Sequence, residues 1–74
     1  MGKLRVLSGA DVCQIMKDNG FSQIRQVGSH VVLQKTISDS TITVPVPLHR
    51  EVAKGTLGAI IKQSGLARSL FEVQ

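Results

Sequence analysis

Val12, Ile15 and Met16 recur at the spacing of one helix face, and Ser8 followed by Asp11 supplies an N-cap with an acid in the first helical turn. Asn19-Gly20 ends that pattern. Gly20 can take the left-handed conformation that follows a helix, and Phe21 beyond it can fold back as the apolar partner of the stop. The spacing predicts a first helix over residues 9–19. A similar grammar returns toward the C-terminus. Leu57, Ile60 and Ile61 form an apolar stripe and Ser64-Gly65-Leu66 repeats the glycine-then-apolar stop, so a second helix closes the core. Gly58 inside that stripe costs about 1 kcal/mol relative to alanine, a sign either of close packing or of tolerance. The tail, 67–74, can add one more helical turn, with Leu70 and Phe71 covering a core edge.

Between the helices the period changes to two. Ile42, Val44 and Val46 alternate with Thr41 and Thr43 as in a half-buried strand, and Pro45 and Pro47 restrict that strand to a sheet edge. Upstream, residues 22–27 and 30–35 flank Gly28-Ser29, and glycine at the first central position is the signature of a type II′ hairpin turn. The polar stretch 36–40 reads as the second hairpin loop. The expected fold is therefore α+β, in the order α-β-β-β-α, with a three-stranded antiparallel sheet. Two helices cannot hide both faces of such a sheet, so both are expected on one face, leaving the other open to solvent or a partner.

Composition bounds the rest. A chain of 74 residues makes one domain, 1–74, and buries only roughly 60% of its unfolded surface, so every element shares the core. Hydrophobic residues are 42% and charged residues 19%, which separates the chain from the disordered class. Nine Lys and Arg against five Asp and Glu give a net charge of +4, whose natural partner is a polyanion or an acidic protein. These cations are spread along the chain, which points to a folded basic face. Cys13 stands alone inside the first helical pattern and reads as a small buried hydrophobe in a reducing compartment. The first residues, 1–6, lead into no apolar stretch, and no run approaches a membrane span, so a cytoplasmic protein without membrane attachment is expected.

Directly after the two-residue turn, His30 begins the central strand with its backbone fixed by the ladder. An imidazole, whose model-compound pKa is about 6.5, can accept or donate a proton near neutral pH, as cleavage of RNA at its 2′-hydroxyl requires. His30, Val32 and Gln34 share one face, with Val31, Leu33 and Lys35 on the other; both carry apolar residues, so the pattern leaves open which is inward. On the residues alone, a lone histidine more often has a structural or surface role than a catalytic one. His49, after Pro47-Leu48, is a second acid/base group, a phosphate contact or an ordinary loop residue, and the last is favoured. Two histidines and one cysteine show no metal-ligand spacing, and there is no glycine-rich phosphate loop or serine elbow, so no metal and no small-molecule cofactor is expected. Tyr and Trp are absent and Phe21 and Phe71 belong to helix ends, which removes a base-stacking platform. Recognition through shape and phosphates remains, with Arg25, Lys35, Lys54 and Lys62 as candidate contacts beside Gly28 and Ser29 of the turn.

The ordered set Gly28-Ser29-His30, an apolar strand, Thr43-Val44-Pro45-Val46-Pro47-Leu48-His49, Lys54-Gly55-Thr56-Leu57, Ile60-Ile61-Lys62-Gln63 and Gly65-Leu66 resembles the HicA toxin family over nearly the whole chain. The resemblance implies a fold like the double-stranded-RNA-binding domain. It also implies an mRNA interferase that cuts mRNA independently of the ribosome, with His30 at the catalytic histidine position, and arrests growth until a HicB-type antitoxin covers the site. Gly55-Thr56-Leu57 marks the start of the last helix in that pattern, with Gly55 or Thr56 able to cap it. Val31, Val32 and Leu33 depart from the polar or aromatic residues common after the histidine, and Gly58 stands where larger or charged residues are frequent. Three functions follow: a metal-independent endoribonuclease, a non-catalytic double-stranded-RNA-binding module with the same fold, and a protein-interaction domain docking an acidic partner on its open face. Cleavage abolished by His30→Ala marks the first, salt-sensitive RNA binding without scission the second, and indifference to RNA the third.

Overall fold

In the computed structural model of the protein, which describes residues 2–73, the first helix, α1, runs Gly9–Asp18. Met1 and Gln74, the ends of the expected domain and tail, lie outside the described residues. Ser8 and Asp11 cap α1 reciprocally. The Asp11 N–H donates to Ser8 Oγ and the Ser8 N–H donates to Asp11 Oδ2, both at 3.1 Å. The Ser8 backbone N–H, then its hydroxyl, hold the Asp11 carboxyl below its ordinary range, with a smaller pull from Arg5. That support is complete above the unfolded-state carboxyl pKa and is lost as pH falls through the lower folded-state value. At the other end Gly20 takes φ +96°, the Phe21 N–H reaches the Met16 carbonyl (3.0 Å) and the Gly20 N–H the Lys17 carbonyl (3.3 Å). These paired bonds turn the chain sharply and bring Phe21 into the core.

Strands β1 (Ser22–Val27), β2 (His30–Ile37) and β3 (Ser40–Pro47) form one antiparallel sheet in the order β1-β2-β3. The first turn closes on the pair Val27↔His30. Gly28 has φ +59° and Ser29 is not in the positive-φ region, as a type II′ turn requires. The second loop is shorter than the polar stretch 36–40 suggests. Thr36 and Ile37 remain in the ladder opposite Thr41 and Ser40, and only Ser38 and Asp39 turn the chain. Thr36 is polar because it faces, opposite Thr41, the uncovered side of the sheet, and so it mimics a loop in sequence.

The two prolines of β3 fit its phase. Leu48 donates to the Ser29 carbonyl at 2.7 Å, one step beyond the pair His30↔Pro47, so the N–H groups of Val44, Val46 and Leu48 point toward β2. Pro45 and Pro47 alternate with these and turn their nitrogens to the free edge, where no donor is needed. β1 is irregular between Gln23 and Arg25, where Ile24 is the extra residue.

Val31, Leu33, Val44 and Val46 face the helices and pack in one buried cluster with Val12, Cys13 and Met16 of α1 and with Leu57, Ile60 and Ile61 of the second helix, α2 (Lys54–Ser64). Both helices thus lie on one face of the sheet. Ala53, not Gly55 or Thr56, is the N-cap of α2, and no side chain caps it. Burial of Val52 and its N–H bond to the Leu7 carbonyl (2.8 Å) pin the chain just before residue 53, so the helix starts earlier than a capping side chain would place it. Gly65 (φ +72°) ends α2. Beyond it a short 3₁₀ helix, Arg68–Phe71, buries Phe71 while Leu70 stays exposed, so only one of the two expected residues covers the core edge. The tail then pairs with the head of the chain: Leu4 bridges Glu72, and the Arg5 N–H reaches the Phe71 carbonyl at 2.8 Å. Among the described residues no helix is long and apolar enough to cross a membrane.

Two glycines respond in opposite directions. A Cβ at Gly9 would meet Leu48 Cα at 2.8 Å and the Pro47 carbonyl carbon at 3.0 Å, whereas Gly58 has nothing within 4 Å. Gly9→Ala should therefore lose about 1–3 kcal/mol in urea unfolding. Gly58→Ala should gain about 1 kcal/mol in the same assay, since tolerance rather than packing explains that glycine. Burial pushes the Cys13 thiol above its usual range, so an aromatic disulfide reagent at neutral pH should label Cys13 only after urea unfolds the protein.

Candidate functional site

Residues directly opposite each other in an antiparallel sheet share a face. On the uncovered face the register therefore gives the rows Val27–His30–Pro47, Arg25–Val32–Pro45, Ser22–Gln34–Thr43 and Thr36–Thr41. The pattern of β2 left two orientations open, and the structure settles it: His30, Val32 and Gln34 face outward, while Val31, Leu33 and Lys35 face the helices. Val32 is apolar and buried although it belongs to the outer face, where it lies between Arg25 and Pro45 and outside the core cluster. No aspartate or glutamate occupies any of these rows. Gln34 donates to Thr43 Oγ1 across the strands at 3.2 Å. No cavity opens among the described residues, so the site is a surface.

His30 is held from both sides. Its own strand position is locked by pairing with Val27 and Pro47, the preceding Ser29 carbonyl accepts from Leu48, and Gln26 Nε2 donates to the Gly28 carbonyl at 3.2 Å to brace the turn. The imidazole itself is exposed, and among the described residues no hydrogen bond or ion pair occupies it. A rigid backbone thus presents a free proton-transfer group on a surface without competing anions.

The other residues singled out by sequence separate cleanly. Gly28 and Ser29 adjoin His30 in the turn, and Arg25 lies one row away on the same face. Lys35 is on the covered face, where its Nζ donates to the Asn19 carbonyl at the end of α1 (3.2 Å) and stands 5.9 Å from the centroid of the Phe21 ring. Lys54 and Lys62 occupy the first and last turns of α2, in the helix layer. His49 is exposed just past β3. The one signal in the sequence pattern that separates Lys35 from a phosphate contact is its alternation with Val31 and Leu33, which the structure buries. Among the described residues no three of His, Cys, Asp and Glu converge as a ligand set.

The fold and site define a small basic α-β-β-β-α protein that presents a turn-anchored histidine on an open sheet. One family model, described as HicA toxin of bacterial toxin-antitoxin, matches residues 9–66, from the first residue of α1 to just beyond α2, and the chain belongs to this family. Membership carries a toxin role and an antitoxin partner. No curated protein matches the chain.

The placement of Lys35 predicts a stability effect. A cation at a helix C-terminus is worth about 0.3–1 kcal/mol, so Lys35→Gln should lower stability by that amount in chemical denaturation. An unchanged midpoint would show that the bond to Asn19 contributes nothing.

Proposed function

We propose that the protein is an endoribonuclease that cuts mRNA independently of the ribosome, with His30 transferring a proton at the scissile phosphodiester and no metal ion required. The observation that carries this reading is the exposed imidazole, held by the turn and by β3 on a sheet face that has no acid and has Arg25 one row away. A polyanion meets no repulsion on that surface, and proton transfer to or from its 2′-hydroxyl needs only the imidazole. Gly28, Ser29 and Arg25 border the scissile group. Lys35 is engaged with α1, and Lys54 and Lys62 lie behind the sheet, so phosphate contacts from these three fall outside the primary surface. Cleavage of mRNA stops translation and growth in the cytoplasm, and a HicB-type antitoxin neutralises the toxin by covering the open face around His30.

Single-stranded RNA incubated in EDTA with wild type or His30→Ala gives the test. Wild type should cut and the variant should be slower by about 10²–10⁴-fold while keeping its urea midpoint. Equal cleavage by the folded variant would refute the role of His30, and RNA held intact by the wild type would make the protein a binding module. Charge at Arg25 is checked separately: Arg25→Gln should weaken RNA binding and reduce the slope of log affinity against log salt by about 1.

A further inference from the structure

Cleavage of RNA through its 2′-hydroxyl moves two protons, one off the attacking oxygen and one onto the leaving oxygen, and a single imidazole supplies one position for both. The backbone next to His30 leads, through Leu48, to a second histidine, His49. Leu48 donates to Ser29 on the β2 side, while the next carbonyl, that of His49, turns the other way and accepts from the Gly9 N–H at 2.9 Å. β3 ends at Pro47, but bonding of successive residues to opposite sides is the habit of extended chain, so the alternation of faces is carried here two residues past the strand to residue 49. Pro47 shares the face of His30, and His49, two residues on, falls on that face as well. Diagonal neighbours of this kind have Cα atoms about 7–8 Å apart, within reach of two imidazoles around one phosphodiester. His49 is exposed, and among the described residues no hydrogen bond or ion pair occupies its ring.

We infer that His49 is the second proton-transfer residue, working with His30 across the scissile phosphate. The sequence alone favoured an ordinary loop residue; the fixed docking of its backbone against Gly9 changes that weighing. This inference rests on the endoribonuclease reading. One imidazole takes the proton of the 2′-hydroxyl as the 2′-oxygen bonds to phosphorus. The bond from phosphorus to the 5′-oxygen breaks, and that oxygen takes a proton from the other ring, which enters the step as imidazolium. The products are a 2′,3′-cyclic phosphate and a 5′-hydroxyl, and exchange of protons with water restores the pair.

A substrate pair separates this role from a structural one. Wild type, His30→Ala, His49→Ala and His49→Gln are assayed on an RNA with a normal scissile 5′-oxygen and on the same RNA with sulfur in its place, whose thiolate leaves without protonation. Folding of each variant is checked by its urea midpoint. His49→Ala and His49→Gln should both lose about 10²–10⁴-fold on the oxygen substrate. The sulfur substrate should restore either both His49 variants or His30→Ala to near the wild-type rate, which also reveals which ring is the acid. His49 variants that match wild type on the oxygen substrate overturn the inference and leave the endoribonuclease reading intact. Slow variants of both histidines, with neither recovering on sulfur, overturn it too, because a purely structural loss is not repaired by a better leaving group. A wild type that cuts neither substrate overturns the endoribonuclease reading and this inference with it.

Discussion

The helix layer meets the end of β3 closely at Gly9. A side chain there would collide with the backbone of Pro47 and Leu48, so only glycine lets α1 begin against the end of β3. From that contact a chain of backbone bonds runs through the fold: the Gly9 N–H to the His49 carbonyl, then the Leu48 N–H to the Ser29 carbonyl, at 2.9 and 2.7 Å. The capping box at Ser8 and Asp11 fixes the helix at the same end, and the type II′ turn fixes the other side of Ser29. The position of His30 is therefore determined by main-chain geometry at the meeting of helix, strand end and turn. No side-chain partner is needed to hold it, which leaves the imidazole free.

A second constraint follows from size. With α1 and α2 packed over Val31, Leu33, Val44 and Val46, and the 3₁₀ helix against α1, no helix or strand among the described residues covers the opposite face. That face is consequently written in threonine, glutamine, proline and arginine, with Val32 shielded by its neighbours. The absence of acids from its rows makes it the natural docking side for a polyanion. Under the proposed function, an antitoxin that covered this face would exclude RNA and bury His30 in one step.

Much of this was legible in the chain. Helical spacing around Val12, Ile15 and Met16, the glycine stops at Gly20 and Gly65, and the Gly28-Ser29 turn gave the element order, since each is a local signal set by backbone sterics. Features that depend on pairing between distant segments were not legible. Thr36 reads as loop because it faces solvent across a ladder, and β2 carries apolar residues on both faces because Val32, between Arg25 and Pro45, is buried outside the core cluster. Lys35 reads as a free cation until the end of α1 is placed beside it. The union of the chain ends through Leu4 and Glu72 has no local signature at all. At the site, His30 stood out from its turn, whereas the backbone bonds that fix Leu48 against Ser29 and His49 against Gly9 have no local signature.

The account turns on which layer meets RNA, and amide shift mapping tests that directly. Isotope-labelled protein is titrated with a short RNA whose 2′-hydroxyls are methylated, so that it binds without being cut. The predicted shifts cluster at Arg25, Val27, His30, Val32 and Gln34, with α2 unaffected. Shifts centred on Lys54 and Lys62 with a silent sheet face would contradict it.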